Sequence, residues 1–159
     1  MHAVMLVAMD AEYYEEGNAD LDDYVGEQTA PYDQNNEEYY TGELEDCCDD
    51  PNCNVCAGTG TFESKYNANG IFDWWEIGGR WNNAIYDLEY ELNKNRNYVG
   101  NVIKVGDRHF LPHGEGPSGI IPVCHYVIDT DRSLVTDIDR WLTDPQNQDK
   151  YVVLVDYHS

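Results

Sequence analysis

His2-Ala-Val-Met-Leu-Val-Ala-Met9 (HAVMLVAM) is an unbroken apolar run that stops at Asp10. A strand with one wet face alternates apolar and polar residues, so a continuous run of this length reads as a strand covered on both faces. Its counterpart closes the chain at Tyr151 to Asp156 (YVVLVD). Two such strands are expected to be neighbours in the middle of one sheet. Working inward, Val99 to Val105 (VGNVIKV) and Ile120 to Ile128 (IIPVCHYVI) read as further strands, and Pro122 predicts an edge position or a bulge in the second. Pro112 to Gly119 (PHGEGPSG) is a loop.

Two helices are predicted. Asn82 to Lys94 puts Ile85, Leu88 and Leu92 on one face, with asparagines to cap its start. Ser133 to Asp144 places Leu134, Ile138, Trp141 and Leu142 at i, i+4, i+7 and i+8, and Pro145 closes it. Asp10 to Asp46 reads as loops with a short helix, interrupted by Pro31 and Gly42. The order is that of an α+β fold: one small sheet with the N- and C-terminal strands central, about two helices, and a Cys-rich, zinc-bound loop insertion. At 159 residues the chain is read as a single domain, 1–159. Residues 10–64 form an acidic, irregular insertion within it that contains the cysteine loop, 47–60.

Charge is the compositional outlier. The 31 acids against 9 bases give a formal net charge of −22. Seventeen of the acids and none of the bases fall in residues 1–64. Such a field repels nucleic acid and anionic membrane and attracts basic surfaces. Direct nucleic-acid binding would require a local basic patch from Arg80, Arg96, Lys104 and Arg108. A solvated acidic loop or halophilic adaptation would also produce this composition. The alternative is a surface that imitates phosphates, with Glu12, Glu15, Glu16, Asp20, Asp22, Asp23, Glu37 and Glu38 as the partner-binding carboxylates.

Four of the five cysteines lie at Cys47, Cys48, Cys53 and Cys56. Cys53-Asn-Val-Cys56 brackets a tight turn, and Ala57-Gly58-Thr59-Gly60 lets the backbone fold beneath the sulfurs. One structural Zn2+ held by the four is the expectation. Adjacent cysteines rarely chelate one ion, so His113 or an Asp in place of Cys47 or Cys48 stays open, as do free thiols. A redox pair lacks the strand-then-helix context, and neither H-x-E nor H-E-x-x-H is present for catalytic zinc. C-x-x-C-x-G-T-G resembles one quarter of the zinc domain of DnaJ-type chaperones, which repeats the unit four times, and the resemblance implies metal geometry.

Phe72-Asp-Trp-Trp-Glu-Ile-Gly-Gly-Arg-Trp81 sets three tryptophans around a Gly-Gly turn. It reads either as a structural corner, with Arg80 stacked on Trp or paired with Asp73 or Glu76, or as a pocket. In the pocket reading Trp74, Trp75, Arg80 and Trp81 hold a nucleotide-like anion. Ser64-x-Tyr66-Asn67 followed by Asp73-Trp74-Trp75-x-Ile77-Gly78-Gly79-Arg80-Trp81, together with Pro31-Tyr32-Asp33-Gln34-Asn35 and Val155-Asp156-Tyr157-His158, resembles a group of uncharacterised bacteriophage-encoded proteins. The chain departs from that group's pattern at Ala68, where Pro is usual, and at Phe72, where Trp is usual. The resemblance implies a phage origin and brings no established activity.

His109, His113, Cys124, His125 and His158 are further candidates. Cys124 and His125 on one strand point to opposite faces, which favours a packed Cys124 and a surface His125 over a catalytic dyad. Asp156 and His158 share a face if extended and could form a small acid/base or metal site. No basic leader precedes the first apolar run, and no stretch approaches the ~18 apolar residues of a membrane helix. The expected location is the cytoplasm, that of the host cell for a phage protein, because clustered cysteines fit metal ligation in a reducing compartment.

Two functions follow. The first is a phage-encoded acidic inhibitor that binds a basic, nucleic-acid-binding surface of a host protein, as an anti-CRISPR or anti-restriction mimic would. The alternative is a small enzyme or ligand-binding protein that uses the Trp/Arg80 pocket.

Overall fold

A computed structural model describes residues 1–17, 20–82, 101–107 and 124–159. The described chain forms two compact units, one of residues 1–30 with 74–159 and one of residues 31–73.

The first unit is built on a six-stranded mixed sheet. Strand β1 (His2–Met9) pairs antiparallel with the C-terminal strand β8 (Tyr151–His158) along its whole length, from His2 opposite His158 to Met9 opposite Tyr151. On its other side β1 pairs parallel with β6 (Cys124–Ile128), which in turn pairs with the short β7 (Leu134–Val135). The far side of β8 is shared by β4 (Trp74–Ile77) opposite residues 155–158 and β5 (Val102–Lys104) opposite residues 151–153. The order is therefore β4-β8-β1-β6-β7, with β1 and β8 central as expected.

Both faces of the central strands are covered. Val4, Leu6, Ala8, Val152 and Leu154 join Ile103, Cys124 and Val127 in a core completed by Ile138, Trp141 and Leu142 of α3 (Ile138–Thr143). On the opposite face Met5, Val7, Met9, Val153 and Val155 are fully buried, and Trp75 lies beside Gly26 of α2 (Leu21–Thr29). The preceding α1 (Ala11–Glu15) stacks Tyr14 on Tyr151, ring centroids 4.5 Å apart. This two-sided cover is the physical reason that both terminal strands are apolar without alternation.

Several expectations change. The helix predicted over 133–144 begins only at Ile138, because the Asp137 side chain caps it by accepting from Arg140 N at 3.2 Å. Leu134 and Val135 instead form β7 after a turn in which Asp129 N donates to Ser133 O and Arg132 adopts φ 68°. The helical spacing of Leu134 with Ile138 is therefore coincidental: it is Val135, opposite Val127, that packs on the core cluster holding Ile138. In the described part of the predicted strand 99–105, residues 101–105, β5 spans Val102–Lys104 and is followed by a 3-10 turn over Val105–Asp107. β6 lies between β1 and β7 rather than at an edge, and its pairing with β1 shifts register between Val4 and Met5. Pro122, His109, His113, residues 83–94 of the predicted helix 82–94 and the loop 112–119 lie outside the described residues.

The second unit holds a two-stranded antiparallel ribbon, β2 (Leu44–Asp46) and β3 (Thr61–Glu63), paired Leu44 to Glu63 and Asp46 to Thr61. Buried Asn67 braces the unit by donating through Nδ2 to Pro31 O at 2.7 Å and Asp33 O at 3.0 Å. Residues 31–73 carry ten carboxylates and one base, Lys65.

Candidate functional site

The cysteine loop is the closed end of the β2–β3 ribbon. Cys47 N donates to Gly60 O at 2.8 Å, which extends the ladder by one rung and leaves residues 48–59 as its cap. Within the cap Asn52 N bonds the Asp50 side chain, Cys53 N bonds Asp50 O, and Ala57 N bonds Cys53 O at 2.9 Å. The chain then turns through left-handed backbone at Ala57 (φ 51°), Gly58 (φ 84°) and Gly60 (φ 80°). Glycine is required at 58, where a Cβ would sit 2.8 Å from Pro51 O.

This turn brings the sulfurs of Cys47, Cys48, Cys53 and Cys56 within 4.8 Å of one another. Cys47 Sγ lies 3.8 Å from Cys48 Sγ and 3.7 Å from Cys53 Sγ. A tetrahedron of sulfurs around an ion with metal–sulfur bonds of ~2.3 Å has edges of ~3.8 Å, so these separations already match such a site. The adjacent cysteines both reach it because β2 ends at Asp46 and the backbone leaves the strand between them.

Backbone N–H groups point at the sulfurs. Val55 N donates to Cys53 Sγ at 3.4 Å. The N–H groups of Cys56 and Val55 pull the Cys53 thiol down to about 6, and those of Gly60 and Gly58 lower Cys56. Desolvation and the contacts with Cys53, Cys56 and Cys48 push Cys47 up to about 12. At Cys48 the Asp50 N–H favours the thiolate, but the contact with Cys53 and desolvation outweigh it, and its pKa is raised. Four sulfurs in contact cannot all ionise unless a cation replaces their protons, and N–H···S bonds stabilise the resulting thiolates. The four cysteines could therefore hold a metal ion, with every tetrahedral position taken by sulfur.

The eight carboxylates expected to meet a partner are all exposed. Glu12, Glu15 and Glu16 lie on or beside α1, and Glu15 accepts from Tyr151 Oη at 3.0 Å. Asp20 caps α2 by accepting from Asp23 N, and Asp22 and Asp23 occupy its first turn, where negative charge favours the helix dipole. Glu37 and Glu38 stand on a 3-10 turn of the other unit.

The tryptophans of the Trp/Gly/Arg stretch take separate places. On β4, Trp74 is 43 % exposed, while Trp75 points to the opposite face against Gly26. Trp81 packs on the core cluster, and Arg80 is exposed. Gly78 (φ 72°) and Gly79 (φ 50°) make the corner, with Gly78 N bonded to Leu154 O at 2.9 Å and Trp81 N to Gly78 O at 2.8 Å. Arg80 N donates to Asp156 Oδ2 at 3.0 Å, so the corner is tied to the centre of the sheet.

A Cβ on Gly79 would run into the Asp156 carboxylate, and the left-handed φ disfavours it as well. Gly79→Ala is therefore expected to destabilise the protein by more than ~2 kcal/mol. Gly17→Ala, also at positive φ but facing open space, should cost only ~1 kcal/mol. Urea midpoints of the two variants measure the difference.

Asp156 is the functional candidate whose partner the sequence concealed. It is fully buried, and its Oδ1 lies 2.9 Å from His2 Nδ1, across 154 residues of chain. Local spacing pairs Asp156 with His158, and only the β1–β8 register reveals His2. Cys124 is buried with its thiol pushed up to about 12 by burial, and exposed His125 meets Tyr157 Oη at 3.1 Å, which fits a packed cysteine beside a surface histidine. No helix of the described residues is long and apolar enough to cross a membrane. Comparison of the chain with protein-family models, with curated proteins and with solved structures yields no match.

Proposed function

We propose that this chain is a phage-encoded acidic inhibitor that occupies the basic, nucleic-acid-binding surface of a host protein in the host cytoplasm, as an anti-restriction or anti-CRISPR mimic does. The observation that carries the reading is that all eight of the carboxylates at Glu12, Glu15, Glu16, Asp20, Asp22, Asp23, Glu37 and Glu38 are exposed. They also belong to a 64-residue stretch without a single Lys or Arg. Charges so arranged gain most from a cationic partner whose own ligand is polyanionic.

In this reading the metal is Zn2+, which an all-thiolate tetrahedral set suits and which leaves no position open for catalysis. Its role is to pin the ribbon of an acidic unit, and four thiolates around a divalent ion add two further negative charges. The alternative, a nucleotide-like anion held by Trp74, Trp75, Arg80 and Trp81, has less support, because Trp74 and Trp75 face opposite sides of β4.

The test is capture from host lysate at low salt, elution on a salt gradient, and metal analysis of the purified protein. A nucleic-acid-binding protein that is released by rising salt and displaced by added DNA or RNA is the expected result. If no protein is retained and a small molecule co-purifies instead, the inhibitor reading fails.

A further inference from the structure

Three adjacent strands bring His2 (β1), His158 (β8) and Trp74 (β4) together at one end of the sheet, since His2 pairs with His158 and His158 pairs with Trp74. Cross-strand partners share a face. The His2 ring centroid lies 5.3 Å from that of His158, with the planes at 70°, and 5.6 Å from the Trp74 ring. On this same face, two residues inward on β8, sits the buried carboxylate of Asp156, with Oδ1 on His2 Nδ1 and Oδ2 on Arg80 N.

Each part of this arrangement has a chemical consequence. A carboxylate with a side chain only 1 % exposed, accepting from a fixed backbone N–H on one oxygen, has its other oxygen aimed at His2 Nδ1. That selects the tautomer with hydrogen on Nδ1 and a lone pair on Nε2, and the His2 side chain is 23 % exposed. A carboxylate behind an imidazole is the usual orienting partner of a metal-bound histidine and raises its basicity. Two imidazoles on one tetrahedral ion, with metal–nitrogen bonds of ~2.1 Å, hold their ring centroids ~5.3 Å apart. The observed centroid separation equals this value.

We infer that His2 and His158 form a second metal site, for a divalent transition ion of the Zn2+, Ni2+ or Cu2+ class, with Asp156 as its positioning residue and the remaining coordination positions open to water or an exogenous ligand. The site is separate in chemistry from the cysteine cluster: imidazole nitrogens suit borderline ions, and a partly open coordination sphere permits ligand exchange. Half-exposed Trp74, in ring contact with His2, reports on it.

Ni2+ titration of the full chain, its cysteine cluster first loaded with Zn2+, followed by tryptophan fluorescence and by calorimetry, tests the inference. Saturable quenching is expected in the native protein and is lost in His158→Gln, while Trp74→Phe removes most of the quenching but leaves the calorimetric binding. Asp156→Asn separates a positioning role from a merely structural one. An amide keeps its oxygen on Arg80 N and turns its NH2 toward His2, which displaces the Nδ1 proton and ties up Nε2. Ni2+ affinity should then fall ~10–100-fold with the far-UV spectrum retained. If His2→Gln and His158→Gln both fold and bind Ni2+ as tightly as the native chain, the site does not exist. Unchanged affinity in a folded Asp156→Asn would remove the positioning role.

Discussion

Cys56→Ser is expected to abolish metal binding at the cysteine cluster and to open the 47–60 loop to proteolysis while the six-stranded sheet stays folded. Cys56 is the most deeply buried of the four sulfurs, and Gly58 and Gly60 aim their N–H groups at it. A serine oxygen supplies neither the thiolate nor the bond length that closes the tetrahedron. The ribbon it would leave has strands of three residues each, and a two-stranded ribbon of that size is marginal in water without an added restraint. Metal-to-protein ratio and limited proteolysis measure the first two effects, and the near-UV spectrum of the tryptophans measures the third. A Cys56→Ser protein that keeps its metal, or a chelator-treated native protein as protease-resistant as before, would sink the prediction.

The same site fixes the sign of a pH effect. Protons compete with the metal for sulfur, so affinity falls as pH falls. Cys47 and Cys48, whose pKa values are raised, are protonated in the metal-free protein at neutral pH and already make affinity fall there. Cys53, with a pKa of about 6 against an ordinary 9.0, steepens the fall further only below about pH 6. In the metal-free protein this depressed pKa stabilises the fold fully above about pH 9, and that contribution fades as pH falls through 6. Cys47, with its pKa raised, acts in the opposite sense: its contribution is present below 9 and is lost as pH rises through about 12.

Leu154→Ala is expected to destabilise the sheet unit by about 3–5 kcal/mol, read as a lower urea midpoint at unchanged slope. Leu154 is fully buried at the middle of β8, opposite Leu6, and belongs to the core cluster that also contains Trp141 and Leu142. Strands on both sides of β8 hold its backbone, so the cavity cannot close by a strand shift. A cost under ~1 kcal/mol would mean that this end of the core is loosely packed.

Local physics made much of this legible beforehand. An apolar run without alternation, as in HAVMLVAM and YVVLVD, has one stable home, a strand covered on both faces, and both runs are found there as β1 and β8. Four cysteines within ten residues, followed by glycines, could be read as a metal loop because every ligand and the turn that gathers them are close in the chain. Charge partition is likewise a property of composition. Local spacing misled where one element follows closely on another: Leu134 and Ile138 keep a helical interval, but the Asp137 cap places them in a strand and a helix, and Val135 rather than Leu134 packs on the core with Ile138.

The tertiary structure decided what depends on strand register. Trp74 and Trp75 are neighbours in sequence, yet pairing with β8 sends one to each face. Asp156 reads as the polar end of an apolar run, but antiparallel pairing of the two chain ends sets it behind His2 and beneath the Gly79–Arg80 corner. A contact between residues 2 and 156 leaves no trace in local spacing, because hydrophobic patterning specifies which face of a strand is buried and only the assembled sheet specifies what lies across from it.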